Sequence, residues 1–309
     1  MASPQVFKEV VDMRAFSREQ RREGKTIGFV PTMGYLHEGH MSLVQAARQQ
    51  CDVVVASIYI NPTQFSKNED FGVYPRSEAE DLRKLAEAGC AAVFMPASLY
   101  HQSGSSSGGS SSADGSMVVG AAEAGDPDAH ETWVSVDHLS QGLCAKSRPH
   151  FFKGVCTVVT KLFHIVEPDA AFFGRKDYQQ WRVIERMVRD LDMAVRVVGM
   201  PIQREADGLA MSSRNAMLST EDRQRSLCIS RALTEAREHA VAQAADAATL
   251  QQQVAAAIAA GGGRVDYVEV VDAQSLQPLQ ELPGRQVLIA VAAFFGKVRL
   301  IDNVDFEAP

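Results

Sequence analysis

The sequence lacks the features that mark membrane-spanning and disulfide-stabilised proteins. No run reaches the roughly 18 apolar residues that a membrane-spanning helix needs, and the first residues contain no basic segment followed by an apolar one. The five cysteines are scattered without a Cys-x-x-Cys spacing, which indicates neither a disulfide framework nor a zinc ribbon. We therefore expect reduced thiols and a cytoplasmic protein.

An excess of positive charge is also missing. The formal net charge is −7, which argues against broad contact with a nucleic-acid backbone, because such contact needs a basic face. With 46% hydrophobic and 22% charged residues, the composition is that of an ordinary soluble globular protein. The 309 residues are enough for two domains, since a domain usually has about 100 to 200 residues.

Strand and helix patterns alternate through the first two thirds of the chain. Apolar runs rich in β-branched residues occur at 26–30, 52–60, 91–95, 169–173 and 194–200, and helical patterns lie between them near 40–50, 76–89, 150–166 and 177–191. In the helix at 150–166, Val155, Val159 and Phe163 fall on one face, as expected for a crossover packed on a parallel sheet. The alternation predicts an α/β fold with a doubly wound, Rossmann-like parallel sheet.

The pattern changes after about Pro201. Helical stretches near 221–242 and 247–260 precede β runs at 264–272, 286–294 and 297–302, and Gly296 between the last two indicates a hairpin. We predict a Rossmann-like domain over 1–202 and a smaller C-terminal α+β domain over 203–309. A Ser/Gly-rich stretch makes 102–129 a predicted flexible insertion in the first domain.

The most informative stretch is the turn that follows the first of these strands. The apolar run 27–30 ends at Pro31, Gly34 permits a tight backbone, and His37 and His40 lie where a helix should begin. Unpaired N–H groups at a helix start attract anions, and two imidazoles beside them can donate hydrogen bonds as charge builds. A surface loop before an ordinary helix is equally consistent with this motif, whereas a zinc pair would need a third ligand that the sequence does not identify.

A second strand-to-helix turn carries a cation and two amides at 174–180. Lys176 offers a point charge for phosphate, Asp177 could cap the helix, and Gln179 or Gln180 could bind hydroxyl and carboxylate groups. The alternative is an ordinary capped helix with a solvated face.

Two further segments have the composition of ligand-binding loops. Ser212, Ser213 and Arg214 suit polydentate phosphate binding in a mobile lid, although Ser219 or Thr220 could make this segment a plain helix entry. Asn61 and Gln64 follow the strand at 52–60 and supply neutral hydrogen-bonding groups for a small polar substrate, unless they form a structural turn. Parallel strands place such segments at one sheet edge, so we expect all four motifs to meet in one cleft.

In this order the four motifs resemble the pantothenate synthetase family, which belongs to the HIGH-type nucleotidyltransferases related to class I aminoacyl-tRNA synthetases. The matching segments are Pro-Thr-Met-Gly-Tyr-Leu-His-Glu-Gly-His, Asn-Pro-Thr-Gln-Phe, Gly-Arg-Lys-Asp-Tyr-Gln-Gln and Met-Ser-Ser-Arg-Asn, and the ending Arg-Leu-Ile-Asp-Asn also matches. The resemblance implies ATP-dependent condensation of (R)-pantoate with β-alanine through a pantoyl adenylate, releasing AMP and pyrophosphate. It also implies Mg²⁺ with ATP and a homodimer, although it identifies no metal ligand on the protein.

The resemblance assigns roles position by position. The implied catalytic residues are His40 as proton donor, with His37, Lys176 and Arg214. The implied ATP-binding residues are Met33, Gly34, His37, His40, Gly174, Arg175, Lys176, Asp177, Gln203, Met211, Ser212, Ser213 and Arg214. The implied pantoate and β-alanine residues are Pro31, Thr32, Met33, Asn61, Gln64 and Gln180.

The chain departs from the family pattern in three places. Where the family often has Arg-Pro-Gly-His-Phe, this chain has Arg148-Pro149-His150-Phe151-Phe152. Arg148 therefore stays a candidate anion contact, whereas His150 is one position earlier than the family's histidine. Gln203 occupies a position that is commonly small and apolar, and the insertion at 102–129 has no counterpart. Two alternatives stay open: a nucleotidylyltransferase acting on another small acid or on a phosphorylated pantetheine, and a non-catalytic adenine-nucleotide binding protein. The acidic balance disfavours a tRNA-charging enzyme.

Overall fold

The computed structural model describes residues 3–65, 70–100, 130–242 and 245–309. The predicted insertion at 102–129 therefore lies outside the described residues. Within those ranges, no helix has the length and apolar character needed to cross a bilayer.

The first sheet has six parallel strands in the order β1-β4-β3-β2-β5-β6. Its strands are β1 (Gln5–Phe7), β2 (Ile27–Thr32), β3 (Val53–Ile58), β4 (Ala92–Phe94), β5 (Ala170–Gly174) and β6 (Arg196–Met200). The chain winds outward from β2 through β3 and β4, then returns to β5 on the other side. The predicted doubly wound sheet is confirmed, and its topological switch point lies between β2 and β5, where such sheets bind ligands.

Helices cover both faces of this sheet. They are α1 (Val10–Arg22), α2 (Glu38–Gln50), α3 (Glu78–Glu87), α4 (Cys144–Ser147), α5 (Phe151–Val166) and α6 (Tyr178–Asp190). Successive strand residues point to opposite faces, so Phe29 joins the core that α5 covers while Val30 joins the core under α2. Neither β1 nor α1 was predicted from the sequence.

The second sheet is antiparallel, in the order β7-β8-β9. It consists of β7 (Arg264–Asp272), β8 (Gln286–Phe295) and β9 (Val298–Glu307), preceded by α7 (Thr220–Ser226), α8 (Cys228–Ala242) and α9 (Ala247–Ala260). Gly296 has a φ of 56° between β8 and β9, so the predicted hairpin is confirmed. β9 continues to Glu307, beyond the predicted run that ended at 302.

The two sheets share apolar contacts. Leu288 and Ala290 of β8 belong to the same core cluster as Phe152 of α5 and Met187 of α6. A second cluster, including Leu233, Leu250 and Ile289, lies between the other face of the sheet and its helices. The division into domains at residue 202 stays a prediction.

Candidate active site

The turn after β2 is held in place by a carboxylate from α3. Gly34 has a φ of 83° and Tyr35 a φ of 51°, so the backbone passes through the left-handed region before α2 begins. The Asp81 carboxylate, which is only 2% exposed, accepts hydrogen bonds from the backbone N–H of Tyr35 at 2.8 Å and of Leu36 at 2.7 Å. Lys84 Nζ donates to the carbonyl of Leu36 at 2.7 Å. Neither of these α3 residues was predicted from the sequence.

The two histidines form reciprocal caps at the start of α2. His37 is the N-cap residue, and its Nδ1 accepts from the backbone N–H of Gly39 at 3.1 Å. His40 Nδ1 accepts from the backbone N–H of His37 at 3.3 Å, and the two ring centroids are 4.0 Å apart. Because a backbone N–H can only donate, both neutral rings must carry their proton on Nε2. Each ring therefore offers an N–H donor at the nitrogen not used for capping.

Both imidazoles are neutral near physiological pH. Burial lowers the pKa of His37 to about 4, helped by the positive charges of Lys176 and Lys84. Burial lowers the pKa of His40 well below its ordinary value, and His37, Lys176 and Lys84 act in the same direction. A neutral imidazole with a fixed Nε2–H can donate to a phosphate oxygen without first losing or gaining a proton.

The lowered pKa of His37 predicts how stability depends on pH. Its pKa is about 4 in the folded chain against an ordinary 6.5, so between these values the unfolded state binds more protons, and the free energy of unfolding falls as the pH is lowered. His37→Gln keeps an amide oxygen for capping and removes this titration. We expect calorimetric melting temperatures to fall less steeply on acidification from pH 6.5 towards 4 in the variant than in the wild type. Equal slopes for the two proteins would contradict the assignment.

The segment after β5 places one cation and one amide at the cavity. The Lys176 side chain is 17% exposed, and its Nζ lies 3.2 Å from Asp177 Oδ2. Asp177 is the N-cap residue of α6, but its side chain makes no capping hydrogen bond, so the predicted capping role is wrong. Gln180 lines the cavity. Gln179 is buried, and its amide nitrogen donates to the carbonyls of Leu139 and Gln141 instead, so its role is structural.

Asn61 fixes the orientation of the Gln64 amide. Asn61 Nδ2 donates to Gln64 Oε1 and to the carbonyl of Gly154, both at 3.2 Å. The carbonyl oxygen of the Gln64 amide is thereby used, and its Nε2 lies 3.0 Å from Met33 Sδ. Gln64 therefore directs N–H donors towards the side of the cavity formed by the β2 turn.

The segment Met211–Arg214 reaches the histidine turn directly. Ser213 Oγ donates to the carbonyl of Tyr35 at 3.3 Å, and Ser212 Oγ accepts from the backbone N–H of Arg214 at 3.3 Å. The Arg214 guanidinium lies 5.7 Å from the centre of the Tyr74 ring. Ser219 caps α7, as one of the alternatives predicted, so the serines at 212 and 213 are not the cap of that helix.

One cavity brings the predicted segments together. The predicted residues that line it are Pro31, Thr32, Met33, His37, His40, Asn61, Gln64, Gly174, Lys176, Asp177, Gln180, Gln203, Met211, Ser212, Ser213 and Arg214. Gly34 shapes the turn without lining the cavity, and the Arg175 side chain instead forms an ion pair of 2.9 Å with Asp305 of β9. Arg148 also lines the cavity and donates to the carbonyl of Gln64 at 2.8 Å, whereas His150 precedes α5 outside the lining.

The chain's relationship to known proteins follows from a family model. The model described as pantoate-beta-alanine ligase matches residues 5–305. The chain belongs to the pantoate-β-alanine ligase family. A ligase of this name from Oryza sativa subsp. japonica is 50% identical over 309 residues, covering 98% of this chain and 97% of the relative.

Solved structures of the family have the same fold. Pantothenate synthetase from Thermus thermophilus has a TM-score of 0.81 and 38% identity, covering 99% of this chain and 100% of the other. Pantoate-β-alanine ligase from Francisella tularensis, solved in complex with beta-gamma ATP and β-alanine, has a TM-score of 0.74 and 29% identity, covering 98% of each chain. The resemblance predicted from the four motifs is thus confirmed at the level of the family.

The apolar wall of the cavity was not predicted from the sequence. Val155, Val158, Val159 and Leu162 of α5 line it together with Phe172 of β5. The apolar face of α5 was predicted only to pack on the sheet. The same periodicity could have indicated this wall, because Val155, Val159 and Leu162 lie on one face of the helix.

Proposed function

We propose that this chain condenses (R)-pantoate with β-alanine in an ATP-dependent reaction, through an enzyme-bound pantoyl adenylate, to give pantothenate, AMP and pyrophosphate. The observation that carries the proposal is the contact between the two halves of the site. The Ser213 hydroxyl bonds to the Tyr35 carbonyl at 3.3 Å, so the serine-arginine segment and the histidine turn border one cavity that also contains Lys176. One triphosphate can contact all three.

In the first step a pantoate carboxylate oxygen attacks the α-phosphorus of ATP. A new P–O bond forms, the bond to the bridging oxygen breaks, and its electron pair leaves with pyrophosphate. The Nε2–H groups of His37 and His40 donate to the oxygens that gain charge, and Lys176 and Arg214 neutralise the leaving group. Preorganised donors of this kind stabilise the transition state without any covalent bond to the protein.

In the second step the free amine of β-alanine attacks the acyl carbon of the adenylate. The C–N bond forms, the acyl C–O bond breaks, and AMP leaves with the oxygen that came from the pantoate carboxylate. The proton released by the amine passes to solvent. The neutral amides of Gln64 and Gln180 bind the pantoate carboxylate and hydroxyl groups, while Val155 and Val159 contact its two methyl groups.

The residues at the cavity fit a magnesium ion that is bound mainly by phosphate oxygens. In the described ranges, no group of three or more His, Cys, Asp or Glu side chains is placed to hold a metal. Mg²⁺ bound with nucleotide typically needs only one or two carboxylates, and Asp177 lines the cavity. When bound, the ion supplies charge neutralisation on the triphosphate. We also propose that the protein is a cytoplasmic homodimer. Light scattering, which measures the molar mass in solution, tests the oligomeric state.

An omission assay tests the proposed reaction. We expect AMP and pantothenate to form in equal amounts only when Mg-ATP, pantoate and β-alanine are all present. Release of pyrophosphate with formation of an adenylylated product from a different small acid, without free AMP and not with pantoate, would favour the alternative nucleotidylyltransferase. ATP binding with no turnover by folded protein would favour the non-catalytic alternative. Gln64 and Gln180 argue against a phosphate-ester substrate, for which arginine or lysine would be the better partner.

A glycine on α5 predicts how sensitive the pantoate side of the cavity is to small shifts. A Cβ on Gly154 would lie 2.5 Å from the Thr63 carbonyl oxygen, a backbone atom that cannot move alone. We expect Gly154→Ala to cost about 1–3 kcal/mol in the free energy of unfolding and to raise KM for pantoate, since the 61–64 turn carries Gln64. Urea unfolding and steady-state kinetics measure both effects. Gly72→Ala is the control, because its Cβ would meet nothing within 4 Å, and an unchanged Gly154→Ala protein would contradict this role.

A further inference from the structure

Two adjacent residues of β9 hold the backbone near two cavity segments, the one with Lys176 and the one that leads to Met211–Arg214. These two are called the nucleotide segments. Asp302 and Asn303 are each 4% exposed, although a polar side chain in a sheet core normally needs a partner. Apart from a bond between the two residues, their side-chain partners lie outside their own sheet. Neither residue lines the cavity itself.

Asn303 holds the segment that follows β5. Its Nδ2 donates to the carbonyl of Arg175 at 3.0 Å and to the carbonyl of Lys176 at 2.9 Å. Both donors of the amide are therefore used on two successive peptide groups, which fixes the direction of the backbone that carries Lys176. The Arg175 side chain adds a third tie to β9 through its ion pair with Asp305.

Asp302 holds the segment that leads to Met211–Arg214. Its carboxylate receives both terminal nitrogens of Arg204, at 2.7 and 3.0 Å. Arg204 also donates to the carbonyl of Gly208 at 3.2 Å and pairs with Ala210 in a short antiparallel bridge. Because Met211 follows Ala210 directly, the position of Arg204 determines where the serine-arginine segment begins.

Strand geometry explains how one dipeptide reaches both segments. Successive side chains of a strand point to opposite faces, so Asp302 and Asn303 extend in different directions from one backbone position. The Asp302 carboxylate also accepts from the backbone N–H of Asn303 at 2.8 Å, which links the two sets of bonds.

We propose that Asp302 and Asn303 are positioning residues that set the separation between Lys176 and Arg214. This inference rests on the proposed function, since it assumes that both cations bind one triphosphate. Neither residue touches substrate. A displacement of about 1 Å in a group that aligns reactants can cost roughly 100-fold in rate. Loss of the hydrogen bonds of Asp302 or of Asn303 therefore slows the reaction by shifting the segments that carry Arg214 and Lys176.

The test compares Asn303→Ala and Asn303→Asp with a matched control. Asn303→Asp keeps the shape of the side chain and replaces the donating amide by a carboxylate facing two carbonyl oxygens. Asp272→Ala is the control: Asp272 also lies in the second sheet and accepts from Gln274 and Ser275, away from the nucleotide segments. Binding of a non-hydrolysable ATP analogue is measured by calorimetry, and KM and kcat are measured for each substrate.

We expect both Asn303 variants to weaken analogue binding and to lower kcat/KM for ATP by roughly 10- to 100-fold, with KM for β-alanine within about twofold of wild type. Asp272→Ala should lower the melting temperature without changing ATP binding. The inference is overturned if the Asn303 variants bind the analogue as wild type does, or if their kinetic profile matches that of Asp272→Ala. If the wild-type protein binds the analogue but shows no turnover, that result counts against the proposed reaction. The comparison of analogue binding between wild type and variants would still test the positioning role.

Discussion

His40→Ala is expected to slow adenylate formation roughly 100- to 1000-fold, the usual loss when one preorganised donor to a developing oxyanion is removed. ATP affinity should fall far less, because the ring's Nε2–H gains most of its interaction energy as charge moves onto the bridging oxygen. The structure gives two reasons to assign this role to His40. Its Nδ1 is occupied by the backbone N–H of His37, and its lowered pKa keeps the ring neutral.

Single-turnover measurements of adenylate formation, with calorimetry of ATP-analogue binding, separate the two effects. His164→Ala is the matched control, since His164 is an exposed residue of α5 that does not line the cavity. His40→Gln should recover part of the lost rate, because an amide N–H can still donate. Equal losses of ATP affinity and of rate in His40→Ala would contradict a transition-state role.

Lys176→Met is expected to lower kcat/KM for ATP by roughly 100-fold or more, since the ammonium offsets charge that accumulates on pyrophosphate. Methionine keeps most of the length and apolar surface of the stem, so the change is mainly the loss of one charge. The same variant should raise the pKa of His37, because the positive charge of Lys176 is one of the causes that lower it.

Unfolding would also raise the pKa of His37 towards 6.5, so the imidazole titration is followed by NMR in protein whose melting temperature matches that of the wild type. Lys297→Met, at an exposed position in the hairpin between β8 and β9, is the control. If Lys176→Met left both the His37 titration and the ATP kinetics unchanged, Lys176 would neither lower the pKa of His37 nor stabilise the charge on pyrophosphate.

The parts of the fold that depend on local pattern could be predicted from the sequence. Buried strands such as β2 and β5 are continuous apolar runs, and α5 shows the 3.6-residue period along its length, so the parallel sheet and its switch point followed. β1 has only three residues and two of them are exposed, which leaves no such signal. The predicted end of β9 at 302 was too early, although the residues after it, Asn303 to Phe306, continue the alternation of polar and apolar side chains that is typical of a strand.

Residues of the candidate site could be predicted where a local motif indicates their chemistry. They could not be predicted where contacts between distant elements decide which side chains reach the cavity. Gln179 and Gln180 could not be distinguished by residue type alone; the family resemblance assigned Gln180 to pantoate, and in the structure Gln180 lines the cavity while Gln179 is buried. Arg175 and Lys176 differ in the same way, since one pairs with Asp305 and the other lines the cavity. Asp81 acts on the β2 turn from a distant element, which no local pattern reveals.

We propose that the pantoate carboxylate is activated in the cavity when it attacks the α-phosphorus of ATP, while neutral imidazoles donate hydrogen bonds. Pantoate labelled with heavy oxygen in its carboxylate tests this reaction most directly. Mass spectrometry of the products after full turnover should find one labelled oxygen in AMP and none in pyrophosphate. Label found in pyrophosphate, or AMP without label, would contradict the account.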